Sequence, residues 1–411
     1  MELDVVRTLS AAGLVSLLLF SACSGVVHES PATGGTTGDG ATGGTAGEGG
    51  LGTSPSTPAE GGNAGAAPGC DGGLRVLRTI DAGYVVAWPE QRRVAFMTHT
   101  STIEVDDASA VAEGGPLTRL AVLSSASFGL SRDWTLRGLL AYGDALLVTA
   151  STGQQTRIFT WDFRTGAAEL NLALPAHAEP ISIADPEAGL AFVADRRIYR
   201  ALETAGNWLV GPPIGTSEQW RTPLAFADGE LFVGLAESDR LYEGGEPGSA
   251  GEGGAASSSG GWSAKLERWN SASELVASYP TVGNPRVARP ANGGWLVGES
   301  NSFWGSYQAA LEWLPPSKEE LRTLSQVPVI SGGDSEDGAF GVAISDDRVF
   351  VANCESGLLS GAWANTAVTL TAVWPAAEHS SALCDPRSIQ TLGELLLIGA
   401  DPVNLARLCD E

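Results

Sequence analysis

The sequence predicts an all-β fold, a ring of seven four-stranded units closed by its own N-terminal strand, and three observations carry that prediction. One phrase recurs seven times between Val94 and Ile398: VAFMTHT from Val94, ALLVTAS from Ala145, LAFVADR from Leu190, LFVGLAE from Leu231, WLVGESN from Trp295, VFVANCE from Val349 and LLLIGAD from Leu395. Most copies follow a polar turn, such as Gly143-Asp144, Asp228-Gly229, Gly293-Gly294 or Asp346-Asp347; these residue types favour tight hairpins between extended strands. Beyond the N-terminal apolar run, no window carries helical spacing over three turns, and Ser317–Leu324 reads as one helical turn in a loop.

Each copy is the second strand of a unit, B. The strand before the turn, A, reads YVVAW from Tyr84, LRGLLAY from Leu136, PISIAD from Pro180, TPLAFAD from Thr222, PRVARP from Pro285, AFGVAIS from Ala339 and RSIQTL from Arg387. A third strand, C, reads RIFTWDF from Arg157, RIYRALE from Arg197, KLERWNS from Lys265, AALEWLP from Ala309 and LTAVWPA from Leu370, with a fourth, D, as in LNLALP from Leu170 or LVASYP from Leu275. The longest gap between copies contains a low-complexity insert, Glu243 to Gly261. Without it the units recur at the roughly 40–50 residues of a β-propeller blade. Through the A-turn-B phrase and the L-x-x-W of strand C, residues 74–411 resemble the WD-repeat and quinoprotein-like propellers. Trp161-Asp162 is the lone Trp-Asp pair, so the resemblance is one of architecture.

A ring leaves no open edge to recruit other chains. The last unit supplies A from Arg387, B from Leu395 and a short C at NLARLC but no D, and LRVLRTI, Leu74–Ile80, has no unit of its own. It is expected to be the outer strand of the last blade. Cys409 then ends strand C and Cys70 precedes strand D, where a disulfide would clasp the ring at about 2–5 kcal/mol. Alternating strand directions put the B-to-C and D-to-A connections on one face, the top, and the A-to-B and C-to-D turns on the bottom. Cys354 and Cys384 both map to the top in the sixth unit, which permits a second bridge.

Residues 1–22 read as an export signal. Arg7 precedes a stretch from Thr8 to Ala22 that is shorter than the roughly 20 apolar residues of a membrane span. It ends FSAC, Phe20 to Cys23, which resembles the lipobox of bacterial lipoproteins. The resemblance implies lipidation at Cys23, and Ser24 after it is similar to lipoproteins sorted to an outer membrane. Residues 23–73, rich in Gly, Thr, Ser, Ala and Pro and without Lys or Arg, bury too little apolar surface to fold and read as a tether. As a Gly/Ser coil it spans roughly 35–40 Å. Of five cysteines, removing Cys23 for lipid leaves an even set, Cys70, Cys354, Cys384 and Cys409, suited to disulfides in an exported chain. None has the CxxC spacing of a cysteine zinc site.

Formal net charge is -24, from 24 Lys plus Arg against 48 Asp plus Glu, which repels nucleic acid. The insert 243–261, NSFWGSYQ from Asn301 and CESGLLSGAWANT from Cys354 read as B-to-C connections clustered on one sector of the top. Their aromatic and amide residues, Asn301, Phe303, Trp304, Tyr307, Trp363 and Asn365, are candidates for binding a protein or glycan, since loops on a rigid scaffold commonly carry recognition. Acidic B-strand ends, Asp195, Glu237, Glu299, Glu355 and Asp401, and the loop histidines His99, His177 and His379 are the nearest approach to a metal site, with His99, His379, Glu299 and Glu355 its foremost candidates. GGDSEDG, with Asp334, Glu336 and Asp337, lacks the spacing of a calcium loop. No nucleophile elbow, phosphate loop or HExxH occurs, and no cofactor is implied. The expected function is therefore an envelope lipoprotein that displays a binding or assembly surface. An enzyme with a metal-assisted site at the top of the channel is the alternative.

Overall fold

The computed structural model describes residues 73–174, 178–204, 207–215, 220–237, 263–301, 308–328, 338–345, 347–354, 356–364, 366–374, 383, 389–399 and 402–409. The signal, the tether, Cys23, Cys70, Cys384, His177, His379, Phe303, Trp304, Tyr307, Glu355, Asn365, Asp401 and the acidic stretch at 333–337 lie outside them.

Among the described residues the chain forms seven antiparallel sheets arranged as the blades of a propeller, with strand A at the channel and D outermost. Blade 1 is Tyr84–Trp88, Arg93–Met97, Ile103–Asp107 and Thr118–Leu123. Blade 2 is Thr135–Tyr142, Ala145–Ser151, Thr156–Asp162 and Ala168–Leu174. Blade 3 is Ile183–Asp185, Gly189–Ala194, Arg197–Thr204 and Asn207–Val210. Blade 4 is Trp220–Ala227, Glu230–Glu237, Ser263–Trp269 and Leu275–Thr281. Blade 5 is Asn284–Ala291, Gly294–Ser300, Ala309–Leu314 and Arg322–Val327. Blade 6 is Gly341–Ser345, Arg348–Asn353, Gly357–Ala364 and Thr371–Trp374, with Ala367–Val368 folded back on the end of its third strand. Blade 7 is Ile389–Leu392, Leu395–Ile398 and Val403–Leu408, and its outer strand is Leu74–Ile80. Leu74 pairs with Leu408 and Ile80 with Val403, the closure expected from the sequence.

The bottom turns are tight because their residues accept left-handed backbone. Asp228-Gly229 and Asn292-Gly293 are two-residue hairpins with φ of 51° and 76° and of 47° and 73°, values that match the twist of the flanking strands. Gly294 starts strand B of blade 5 because any Cβ there would lie 2.2 Å from the Leu314 carbonyl oxygen. The apolar faces of the blades meet in seven clusters, one between each adjacent pair. The B strands contribute most to them: Phe96, Phe192, Phe232 and Phe350 are all fully buried.

Two parts of the sequence reading need correction. Gly357–Ala364, expected in a top loop, is strand C of blade 6, and the run from Leu370 expected as strand C is its outer strand, Ser360 pairing with Thr371. The run GLLSGAWA is rich in small residues, as loops are. Gly361 is small for a packing reason, since a Cβ would meet the Thr369 carbonyl oxygen at 2.3 Å. The helical turn expected over Ser317–Leu324 is instead a turn with Lys318 at φ 54° followed by the outer strand of blade 5.

Candidate functional site

The B strands rise to the top face, and the connections at residues 238–262, 302–307 and 329–337 leave the scaffold on the top of blades 4 to 6. The described residues beneath these connections form a polar platform. In blade 5, Asn284 pairs with Ser300, and the Arg286 Nε donates to the Ser300 hydroxyl at 2.8 Å while its guanidinium lies 5.7 Å from the Phe340 ring of the next blade. The Ala339 amide donates to the Glu299 carbonyl oxygen at 2.8 Å, and Ser300 bridges to Gly338. Gly338, at φ 130°, fits only as glycine: a Cβ would lie 2.6 Å from both the Glu299 carbonyl oxygen and the Ser300 Cα. In blade 6 the Asn353 amide donates to the Pro328 carbonyl oxygen at 2.9 Å and accepts from the Ser356 amide at 2.7 Å. Blades 5 and 6 are thus tied together at the points from which two of the three connections start.

The candidate binding residues separate on this platform. Asn301 is buried at the end of strand B, 8% exposed, and belongs to the wall of the rim. Trp363 is a correction: strand C descends, so this residue sits at the bottom end of blade 6, where its amide donates to the Asp347 carbonyl oxygen at 2.8 Å. Its ring packs edge-on against Trp313 of blade 5, with centroids 5.8 Å apart. It is a buttress between two blades, on the face opposite the connections.

The acidic strand ends separate too. Asp195 and Arg196 form a tight B-to-C turn, both at positive φ. His99 sits on the rim of blade 1 with its Nε2 2.8 Å from Asp81 Oδ1, exposed to solvent. Glu299 does not face solvent at all: it is fully buried, and its Oε2 accepts from the Gly283 amide at 2.7 Å. Burial, and then contact with the Glu312 carboxyl, hold Glu299 well above the usual carboxylate range. Among the described residues no three His, Cys, Asp or Glu side chains gather as metal ligands. The expected partners of Cys354 and Cys409, Cys384 and Cys70, lie outside the described residues.

The channel holds a cavity of about 570 Å³ lined by strand A of every blade. Its walls are aliphatic, from Val85 and Leu139 to Val342 and Ile389, with Asp185, Arg289 and Gln390 as polar interruptions. Burial lowers the Arg289 guanidinium from its ordinary value. Gln390 spans the closure of the ring: its Nε2 donates to the Val85 carbonyl oxygen at 2.8 Å, and its Oε1 accepts from the Ala87 amide at 3.1 Å. Sequence reasoning did not single out Arg286, Glu312, Asn353 or Gln390. Their signal was present as a polar residue inside an otherwise apolar strand phrase.

No protein-family model matches the chain, and no curated protein matches it in sequence. Solved structures match its fold. The β-propeller domain of Cps50 (Swd1) from Myceliophteria thermophila is 12% identical with a TM-score of 0.51, covering 81% of this chain and 98% of its own. U3-55K is 12% identical with a TM-score of 0.53, covering 83% and 100%. A chain of a mitotic checkpoint complex is 12% identical with a TM-score of 0.52, covering 86% and 100%. At this identity the likeness is one of fold, a propeller with WD40-repeat neighbours.

Proposed function

We propose that the protein is an envelope lipoprotein, anchored through Cys23 in an outer membrane, whose propeller is a binding or assembly module that holds a protein or glycan partner on the top of blades 4 to 6. The observation that carries this reading is the contrast between the two faces. The A-to-B turns are short at the bottom, whereas the long connections leave the top from a platform knit by Arg286, Ser300, Gly338 and Asn353. A rigid rim that launches long connections suits recognition. Its fold neighbours support a scaffold role, one having been solved within a mitotic checkpoint complex. The chain enters the ring at the bottom, where the Cys409 amide donates to the Gly73 carbonyl oxygen at 2.9 Å, on the face opposite those connections. In this reading Cys70 joins Cys409 as the clasp, and Cys354 joins Cys384 beneath the top of blade 6.

Two experiments test it. Cys23→Ala, or globomycin treatment, is expected to abolish lipid modification and membrane partitioning; unchanged processing overturns the anchor. Replacing 238–262 and 302–307 by short turns is expected to lose the partners captured from native envelope with the folded protein. Retention of the same partners overturns the assignment of the top face.

A further inference from the structure

Between blades 4 and 5, two buried carboxyl groups face each other where the neighbouring blade has an ion pair. In blade 4, Glu267 lies opposite Val233, and Arg221 lies opposite Leu235 two residues on. Both charges are buried, the Arg221 Nε reaches Glu267 Oε2 at 3.2 Å, and the Trp269 indole donates to the same oxygen at 2.9 Å. Blade 5 repeats the arrangement with different residues. Glu312 lies opposite Val297, but Arg221's place is taken by Pro285 and Leu235's by Glu299. The cation is gone and a second acid stands in its neighbourhood.

The hydrogen bonds leave one oxygen on each acid without a donor. Glu299 Oε2 accepts from the Gly283 amide, and Glu312 Oε1 accepts from the Thr323 hydroxyl at 3.0 Å. Glu299 Oε1 and Glu312 Oε2 are buried without a hydrogen-bond donor, on residues 0% and 4% exposed. Glu299 lies two residues beyond Val297, the residue opposite Glu312, on the same face of the sheet, so the two carboxyls are neighbours in one buried seam. Two carboxylates so placed require a proton between them, since like charges in a low-dielectric seam repel strongly.

The other ionisable groups on the surrounding strands are engaged elsewhere. Arg268 binds Glu230 and Tyr279, and Arg221 binds Glu267. Arg286 turns to Ser300 and the Phe340 ring, while Arg289 lines the channel. Lys265 lies on the same side of its strand as Glu267, away from this seam.

We propose that Glu299 and Glu312 share one proton through Glu299 Oε1 and Glu312 Oε2, and that this acid pair makes the seam between blades 4 and 5, at the root of the top platform, a pH-sensitive latch. Folded Glu299 holds its proton at a pH where an unfolded glutamate has lost its own, so the folded state binds more protons. The stabilisation is present in full below the ordinary Glu range and is lost as pH rises through the raised folded value. The inference does not depend on what the top face binds.

The test is a series of thermal melts of the folded protein from about pH 5 to about pH 8, with and without EDTA or added calcium, for wild type, E299Q and E312Q. In either variant the amide supplies a permanent donor in place of the shared proton. Wild type is expected to lose several degrees of melting temperature across the range relative to the variants, irrespective of EDTA and calcium. A carboxylic-acid carbonyl band in the infrared spectrum of the wild type at neutral pH is also expected, and it is read without relying on either variant folding. Wild-type and variant melts that run parallel with no acid band overturn the proposal. A calcium-raised, EDTA-lowered melting temperature with no acid band overturns it in favour of a cation between the two acids.

Discussion

Phe350 shows how much one residue of the repeated phrase contributes. It is fully buried in the cluster between blades 6 and 7, and Phe350→Ala is expected to cost about 3–5 kcal/mol of stability in urea unfolding, from lost transfer and the cavity left behind. Arg221→Met tests a different kind of burial. Glu267 would remain in the seam without its counterion, so a loss of about 3–5 kcal/mol is expected by the same measurement. A cost below about 1 kcal/mol for either variant would contradict the packing described. Residue chemistry was only partly legible in the sequence. The apolar phrase announced Phe350, whereas Glu312 in AALEWLP and Glu267 in KLERWNS look alike as letters and differ by a partner supplied from a strand that is distant in sequence. Trp363 misled because an exposed-looking Trp among Gly, Ala and Ser reads as a loop residue, while strand direction places it against Trp313.

At the scale of elements, the closing strand was legible and its seam was not. Counting strands left Leu74–Ile80 without a blade and the last blade without an outer strand, and the register from Leu74 with Leu408 to Ile80 with Val403 joins them. The bridge that the Gln390 amide makes between the first and last blades through Val85 and Ala87 was not legible, because its partners are backbone atoms some 300 positions away. Gln390→Leu is expected to cost about 1–2 kcal/mol by removing both hydrogen bonds, as read in urea unfolding. Deleting residues 74–80 exposes the edge of Val403–Leu408, and a shift to larger species than the wild type in light scattering is expected. An unchanged elution profile would mean that the ring closes otherwise. The blade 6 misreading is local in origin: GLLSGAWA is rich in small residues, and Gly361 is small because it packs on Thr369, not because it lies in a loop.

For the whole molecule, the repeat dictates a ring, and the alternation of strands gives that ring two unlike faces. The bottom carries the short A-to-B turns and the entry of the chain at Gly73, and the top carries the connections at 238–262, 302–307 and 329–337 of blades 4 to 6. The strongly negative net charge argues against nucleic acid as the partner. The most direct measurement is site-specific photo-crosslinking in the native envelope, with the crosslinker at Gln308 and Ser356 on the top rim or at Asp228 and Ser317 on the bottom. The account predicts partner adducts from Gln308 and Ser356 and none from Asp228 and Ser317. Adducts confined to the bottom positions, or equal from both faces, would contradict it.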